Sequence, residues 1–246
     1  PAQAGAKWIL TRICKILPVT EMDTPVVSKD EDLGMAAATF WTNISKSEIH
    51  PFPRCTLKPG WRVVAVVQDH DASVSLCGTA LYIVSENQSG ERESHILSSK
   101  SLLSWSTVVA NEVRGHALAS HLLVTVLTYI MPVLKAYDFH PVVIIVTDNL
   151  PSVYLFREDS KQTLPRNVRQ TVLANLVTLH NLMPDLKITH CWLPSRFLSS
   201  DFLSKYFPNP ADIVNSPTWR HGDPGFLDYT SLSHFWFLAS TEKETV

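Results

Sequence analysis

At 246 residues the chain is long enough for one large domain, or for one domain with a sizeable appendage. Hydrophobic residues make up 45% of it and charged residues 18%, so it can bury a core, which excludes a disordered chain. A formal net charge of −2 argues against tight, autonomous nucleic-acid binding, though not against a catalytic module delivered by a larger protein.

Residues 1–57 differ in pattern from the rest. Ala4 to Leu17 carries apolar residues at helical spacing (Trp8, Ile9, Ile13, Ile16, Leu17), Pro18 to Asp32 is polar and loop-like, and Met35 to Ile44 suits a second short helix. Two short helices without a sheet make a poor core, so residues 1–57 read as a helical extension or linker from a preceding domain, and 58–246 as the folded unit. No cleavable signal peptide is expected, because Arg12 and Lys15 follow Trp8-Ile9-Leu10 at once.

From Trp61 the pattern changes to strands. Arg62 to Gln68 is a β-branched run fit for a central strand, and Ser73 to Ser85 suggests a second. Glu86-Asn-Gln-Ser-Gly-Glu91 supplies a turn, and Glu93 to Leu97 a third strand. Val108 to Ala136 is predicted helical. Its apolar stretch from Ala117 to Leu134 is interrupted by His121 and Pro132, and reads as a buried amphipathic helix rather than a membrane span. Val142 to Val146 is almost wholly apolar, as a strand covered on both faces is. Leu150 to Phe156 and Arg166 to Met183 follow as helices, Leu186 to Leu193 as a fifth strand, and Ser200 to Phe207 as a last short helix. The order predicts an antiparallel meander followed by helix-linked parallel strands.

Four carboxylates fall at telling places on this frame. Asp71 ends the first strand, Glu112 lies in an early turn of the long helix, Asp148 follows the fourth strand, and Asp201 opens the last helix. Crowding acidic groups at strand ends is costly unless cations neutralise them, so the set points to divalent metal. Each residue taken singly could be a helix cap or a dipole-matched charge, Asp148 before Asn149-Leu-Pro151 above all. Asp69 shares a strand face with Asp71 and is expected to be exposed, with a spare-ligand role as the alternative. His116 and His121 are five apart and do not make a zinc pair. The four cysteines (Cys14, Cys55, Cys77, Cys191) show no paired spacing and read as reduced thiols. Trp105, Trp192, Trp219, Phe235 and Trp236 read as packing anchors rather than base-stacking platforms.

Several local motifs, in order, resemble the ribonuclease H region of reverse transcriptases from long-terminal-repeat retrotransposons, especially the BEL/Pao group. They are His50-Pro-Phe-Pro-Arg54, Asp71-Ala-Ser with Gly78-Thr-Ala-Leu-Tyr, Ser98-Ser-Lys100-Ser, Thr147-Asp148-Asn, and Leu193-Pro-Ser-Arg-Phe-Leu-Ser-Ser-Asp201-Phe-Leu-Ser-Lys. The tail with Trp219-Arg-His-Gly222-Asp-Pro completes them, and the resemblance covers roughly residues 50–228. Three departures stand out. Ser195 to Ser200 lacks the histidine many ribonucleases H carry there, Val109-Ala-Asn-Glu112 replaces Pro-Arg-Leu-Glu, and Asn149 replaces Ser.

The resemblance implies an α/β, ribonuclease H-like fold: a mixed five-stranded sheet flanked by helices, with an N-terminal helical extension. It implies an enzyme, a Mg²⁺-dependent endonuclease that hydrolyses the RNA strand of an RNA–DNA hybrid by a two-metal mechanism within a retroelement polyprotein. Asp71, Glu112, Asp148 and Asp201 would be its catalytic residues and would hold two Mg²⁺ ions, with Mn²⁺ as an alternative. Asp212, in Asn209-Pro-Ala-Asp212, competes with Asp201 for the fourth place, but Asp201 better matches the strand–loop–helix run. The implied partners are the hybrid and an upstream reverse transcriptase domain, with no membrane, and Lys100 and Arg196 are candidate hybrid contacts. The implied location is cytoplasmic, which takes in virus-like particles. The competing readings are a catalytically inactive ribonuclease H-fold binding module and, more distantly, an integrase-like nuclease.

Overall fold

The computed structural model describes Met35, residues 37–39, Trp41 and Thr42, then residues 58–104, 106–155, 166–182, 184, 188–205, 213 and 215–228. The expected helix over Ala4 to Leu17, the His50–Arg54 segment, Trp105, Asp212, Phe235 and Trp236 lie outside the described residues. Met35, residues 37–39, Trp41 and Thr42 are helical, in keeping with the helix expected there.

Five strands form one mixed sheet: β1 (Arg62–Ala72), β2 (Leu76–Glu86), β3 (Arg92–Leu103), β4 (Val142–Thr147) and β5 (Ile188–Trp192). Their order is β3-β2-β1-β4-β5; β1, β2 and β3 pair antiparallel, while β4 runs parallel to both β1 and β5. This is the ribonuclease H-like arrangement implied by the sequence. Accompanying the sheet are helices α1 (Val108–Ala136), α2 (Leu150–Leu155), α3 (Arg166–Leu182), α4 (Asp201–Ser204) and α5 (Pro217–His221). The β2–β3 turn forms as expected: Asn87 Oδ1 accepts the Ser89 and Glu91 amides, and Gly90 takes the positive φ the reversal needs. β1 and β3 are longer than predicted, β3 reaching Leu103 through Ser98-Ser-Lys100-Ser, whose polar residues disguise it, while β2 starts later, at Leu76.

Alternation along β1 divides the core into two layers. Val66, Leu81, Ile83, Val143 and Ile145 pack beneath α1, with Leu123, Leu127 and Met131 above them and Leu179 of α3 beside. Ala65, Val67, Tyr82, Ile144 and Val146 face the other way, onto Leu198, Leu203, Ile213, Trp219 and Phe226. By length and composition α1 could cross a bilayer, but it buries Leu122, Leu123, Leu127, Met131 and Leu134 against the sheet. The Trp219–Phe226 segment is therefore part of the core. Its turn depends on Gly222 at φ +71°, where a Cβ would collide with the Phe226 ring.

Candidate metal centre

The sheet brings two carboxylates to one edge. Because β1 and β4 are parallel and His70 pairs with Thr147, the next residues, Asp71 still on β1 and Asp148 just past β4, lie side by side. Helix α1 delivers the third. Its N-cap is Thr107, whose hydroxyl accepts the Ala110 amide. Asn111, fully buried, donates to the carbonyls of Ser73 (2.7 Å) and Ser104 (2.8 Å) and accepts from Ser104 Oγ. These bonds tie the first turns of α1 to the β1–β2 loop and to the segment after β3, and aim Glu112 at the end of β1. At Gly115 the helix packs on His70 and the Asp71 carbonyl, which would lie at ordinary contact distance, 3.6–3.7 Å, from a Cβ.

Asp71, Glu112 and Asp148 each place a carboxylate oxygen within 4.8 Å of the others. Asp71 and Glu112 are buried, and Glu112 Oε2 has no hydrogen-bond partner. Burial, then the charges of Asp148 and Asp201, pushes Asp71 up to about 7. Burial, then Asp71 and Asp148, pushes Glu112 up to about 8. A desolvated, mutually repelling oxygen cluster with an orphaned acceptor fits a hard divalent cation, which prefers all-oxygen ligands. Alternative uses of these residues are already taken by neighbours. Asn149, the residue that departs from the retrotransposon pattern, caps α2 by accepting the Ser152 amide at 2.9 Å, which leaves Asp148 free of that duty.

Asp201 lies just outside the three-carboxylate group, half-buried at the start of α4 and ion-paired with Lys205. Its charge still acts on Asp71. Ser204, one turn on, donates from Oγ to Asp71 Oδ2, linking α4 to the cluster. Such proximity needs Gly78 on β2, because a Cβ there would meet Leu203 and come within 2.8 Å of the Ser200 carbonyl.

Three features differ from the sequence expectations or were missed by them. Asp69 is fully buried, not exposed. Its carboxylate accepts from Ala80 N–H (3.1 Å), Ser199 N–H (2.8 Å), Ser199 Oγ (2.7 Å) and Ser200 N–H (3.3 Å). Burial pushes it up to about 6, with these hydrogen bonds opposing the rise. Trp219 is a packing anchor as expected, but Trp192 is 42% exposed and donates from Nε1 to the Asp148 carbonyl at 2.8 Å, bordering the cluster. His116 contacts His70, ring centroids 4.9 Å apart, and stacks on His190 at 5.4 Å. Burial holds His70 down to about 3 and His190 to about 4. Nothing in the local sequence announces this cluster, since its members come from β1, α1 and β5. Lys100 is exposed on β3, and Arg196 is exposed over the Phe197 ring. Cys77 and Cys191 are buried, reduced thiols.

No family model matches the chain, and no curated protein matches it either. Solved structures do resemble it. LC11 ribonuclease H1, solved with an RNA/DNA hybrid, is 15% identical over 56% of this chain and 92% of its own, at a TM-score of 0.36. Ribonuclease H1 of Halobacterium salinarum is 12% identical over 54% of this chain and 86% of its own, at 0.29. The protease–reverse transcriptase of prototype foamy virus is 13% identical over 58% of this chain and 19% of its own, at 0.28. These superpositions are loose, and the strand order and register of the sheet carry the fold assignment.

Proposed function

We propose that this chain is a divalent-metal-dependent endonuclease that hydrolyses the RNA strand of an RNA·DNA hybrid. In this reading it is the ribonuclease H part of a BEL/Pao-like retroelement reverse transcriptase. The observation that carries the proposal is the convergence of Asp71, Glu112 and Asp148 within 4.8 Å around a buried, unpartnered Glu112 oxygen. A set of this kind at the carboxyl ends of parallel strands is expensive for a fold and useful to a metal enzyme.

Asp71, Glu112 and Asp148 would hold the first ion, and Asp71 with Asp201 the second. Divalent ions bound there supply an activated water and charge stabilisation for the departing 3′-oxygen. The chain contributes rigidity: β1 and β4 fix two carboxylates through sheet hydrogen bonds, and Asn111 fixes the third through α1. Trp192 restrains the Asp148 backbone and gives the cluster an apolar wall. Lys100 and Arg196 are proposed to meet the nucleic-acid backbone.

The test is hydrolysis of end-labelled RNA·DNA hybrid by the purified chain, with and without 5–10 mM (roughly, a saturating level) Mg²⁺, beside duplex DNA and single-stranded RNA. Mg²⁺-dependent cutting of the hybrid RNA strand alone is expected. An inactive binding module would bind the metal and leave every substrate intact. Cleavage that persists in a chelator would reject the metal reading.

A further inference from the structure

Strand β1 carries two carboxylates on one face, and they are used differently. Asp71 points to the metal cluster. Asp69, two residues earlier, is buried among the apolar side chains of the layer containing Ala65 and Val67. There it accepts four hydrogen bonds, three of them from Ser199 and Ser200. The residue after this pair is Asp201. The Ser199 hydroxyl is held from its other side by the Tyr82 hydroxyl at 2.6 Å, which lies 2.9 Å from the Trp219 carbonyl. A carboxylate, a serine pair and a tyrosine thus connect the centre of the sheet to the turn that launches α4.

Burial of this segment does not by itself call for a carboxylate. Leu198 and Leu203 already bury the same segment in the core, and a buried charge is costly even when well hydrogen-bonded. Apolar contacts fix how deeply a turn packs, but they do not fix its rotation. Three converging bonds to Oδ2 do, because two are backbone N–H groups with set directions. We propose that Asp69 is a positioning residue: a buried strut on β1 that sets the orientation of the Ser199–Ser200 turn and hence of Asp201 toward the metal cluster. This rests on the reading of Asp201 as a metal ligand.

The experiment is calorimetric titration of Mn²⁺ into the full chain, with each variant's thermal melt recorded beside it. The variants are Asp201→Asn, Asp69→Asn, their double substitution, and Ser199→Ala alone and combined with Asp201→Asn. Asp201→Asn should weaken binding by roughly 10-fold, as loss of a ligand or of its support does, and Asp69→Asn by a comparable factor. The double variant should bind no more weakly than Asp201→Asn alone, because Asp69 acts only through that residue. Unchanged Mn²⁺ affinity in Asp69→Asn, or losses that multiply in the double variant, would overturn the positioning role. If Asp201→Asn itself binds Mn²⁺ normally, the fourth-ligand reading fails first and the positioning role with it. Should Asp69→Asn lack a cooperative melt, Ser199→Ala decides, since it removes one of the bonds to Asp69, with the Tyr82 contact, and keeps the carboxylate. A loss of about 3-fold that disappears in an Asp201→Asn background supports the strut, and wild-type affinity overturns it.

Discussion

At the scale of single residues, the chemistry is set by how much unfavourable charge the fold gathers at one point. Asp148 raises the proton affinity of both Asp71 and Glu112, so neutralising it relieves the metal-free protein while depriving the cations of a ligand. Asp148→Asn should therefore cut hybrid cleavage by ~100-fold or more, as when several kcal/mol of charge stabilisation is withdrawn. Its metal-free melting temperature should be unchanged or up to about 4 °C higher. Marked destabilisation in that melt would point to a structural role instead. The pH dependence of stability follows from the same groups. Asp71 and Glu112 bind protons more tightly folded than unfolded, so the stability this contributes is fully present only below their ordinary carboxylate range and is lost as pH rises from there through about 7 and 8. The buried histidines act with the opposite sign. Held down at about 3 and 4, His70 and His190 cost stability only below roughly pH 6.5, where the unfolded chain takes up protons. Between pH 6.5 and 8 only the carboxylate effect remains, and the metal-free protein should lose on the order of 1 kcal/mol per pH unit. Denaturant melts should show that slope in a chelator and its flattening in Mg²⁺; a metal-free stability that rises across this window contradicts the cluster's electrostatics.

At the scale of elements, what matters is how closely strands and helices approach. Helix α4 reaches the cluster because Gly78 leaves β2 bare beneath it. Gly78→Ala should cost roughly 1–3 kcal/mol, the usual penalty of overpacking, and should weaken Mg²⁺ binding by backing Asp201 away. Denaturant unfolding paired with metal titration measures both, and a variant that keeps both properties would show that α4 docks more loosely than this. Element type and order were readable because they depend on local periodicity: α1 runs from Val108 to Ala136 as the apolar spacing indicates, and the β-branched runs mark β1 and β4. Three of the site carboxylates were readable for a related reason, since strand ends and early helix turns are positions the sequence displays. Asp69 was misread because exposure is not local. The donors that bury it come from Ser199 and Ser200, 130 residues away in the case of Ser199, and nothing near Asp69 reveals them. Asn111 illustrates the same limit. The sequence shows it only as a departure from the family pattern, yet its bonds anchor α1. Trp192 reads as a packing anchor by residue type, but it lies at the end of the edge strand β5 and is exposed there.

At the scale of the whole molecule, the formal charge of −2 sets the terms of association. With little long-range attraction for phosphates, the chain alone should bind hybrid weakly, through local groups such as Lys100 and Arg196 and through bound cations. Cleavage should then fall steeply with added salt. Fusion to an upstream polymerase domain should raise apparent affinity by supplying a second, linked grip on the same duplex. Tight, salt-insensitive binding by the chain alone, measured by fluorescence anisotropy, contradicts this, as does a fusion that leaves affinity unchanged. Sheet, helix and loop contribute to one claim, that Asp71, Glu112 and Asp148 form a divalent-metal centre. Anomalous diffraction at the manganese edge from Mn²⁺-soaked crystals tests it most directly. The account predicts a peak bounded by those three side chains, with Asp201 beside any second peak. A well-ordered cluster that shows no peak at saturating Mn²⁺ would contradict it.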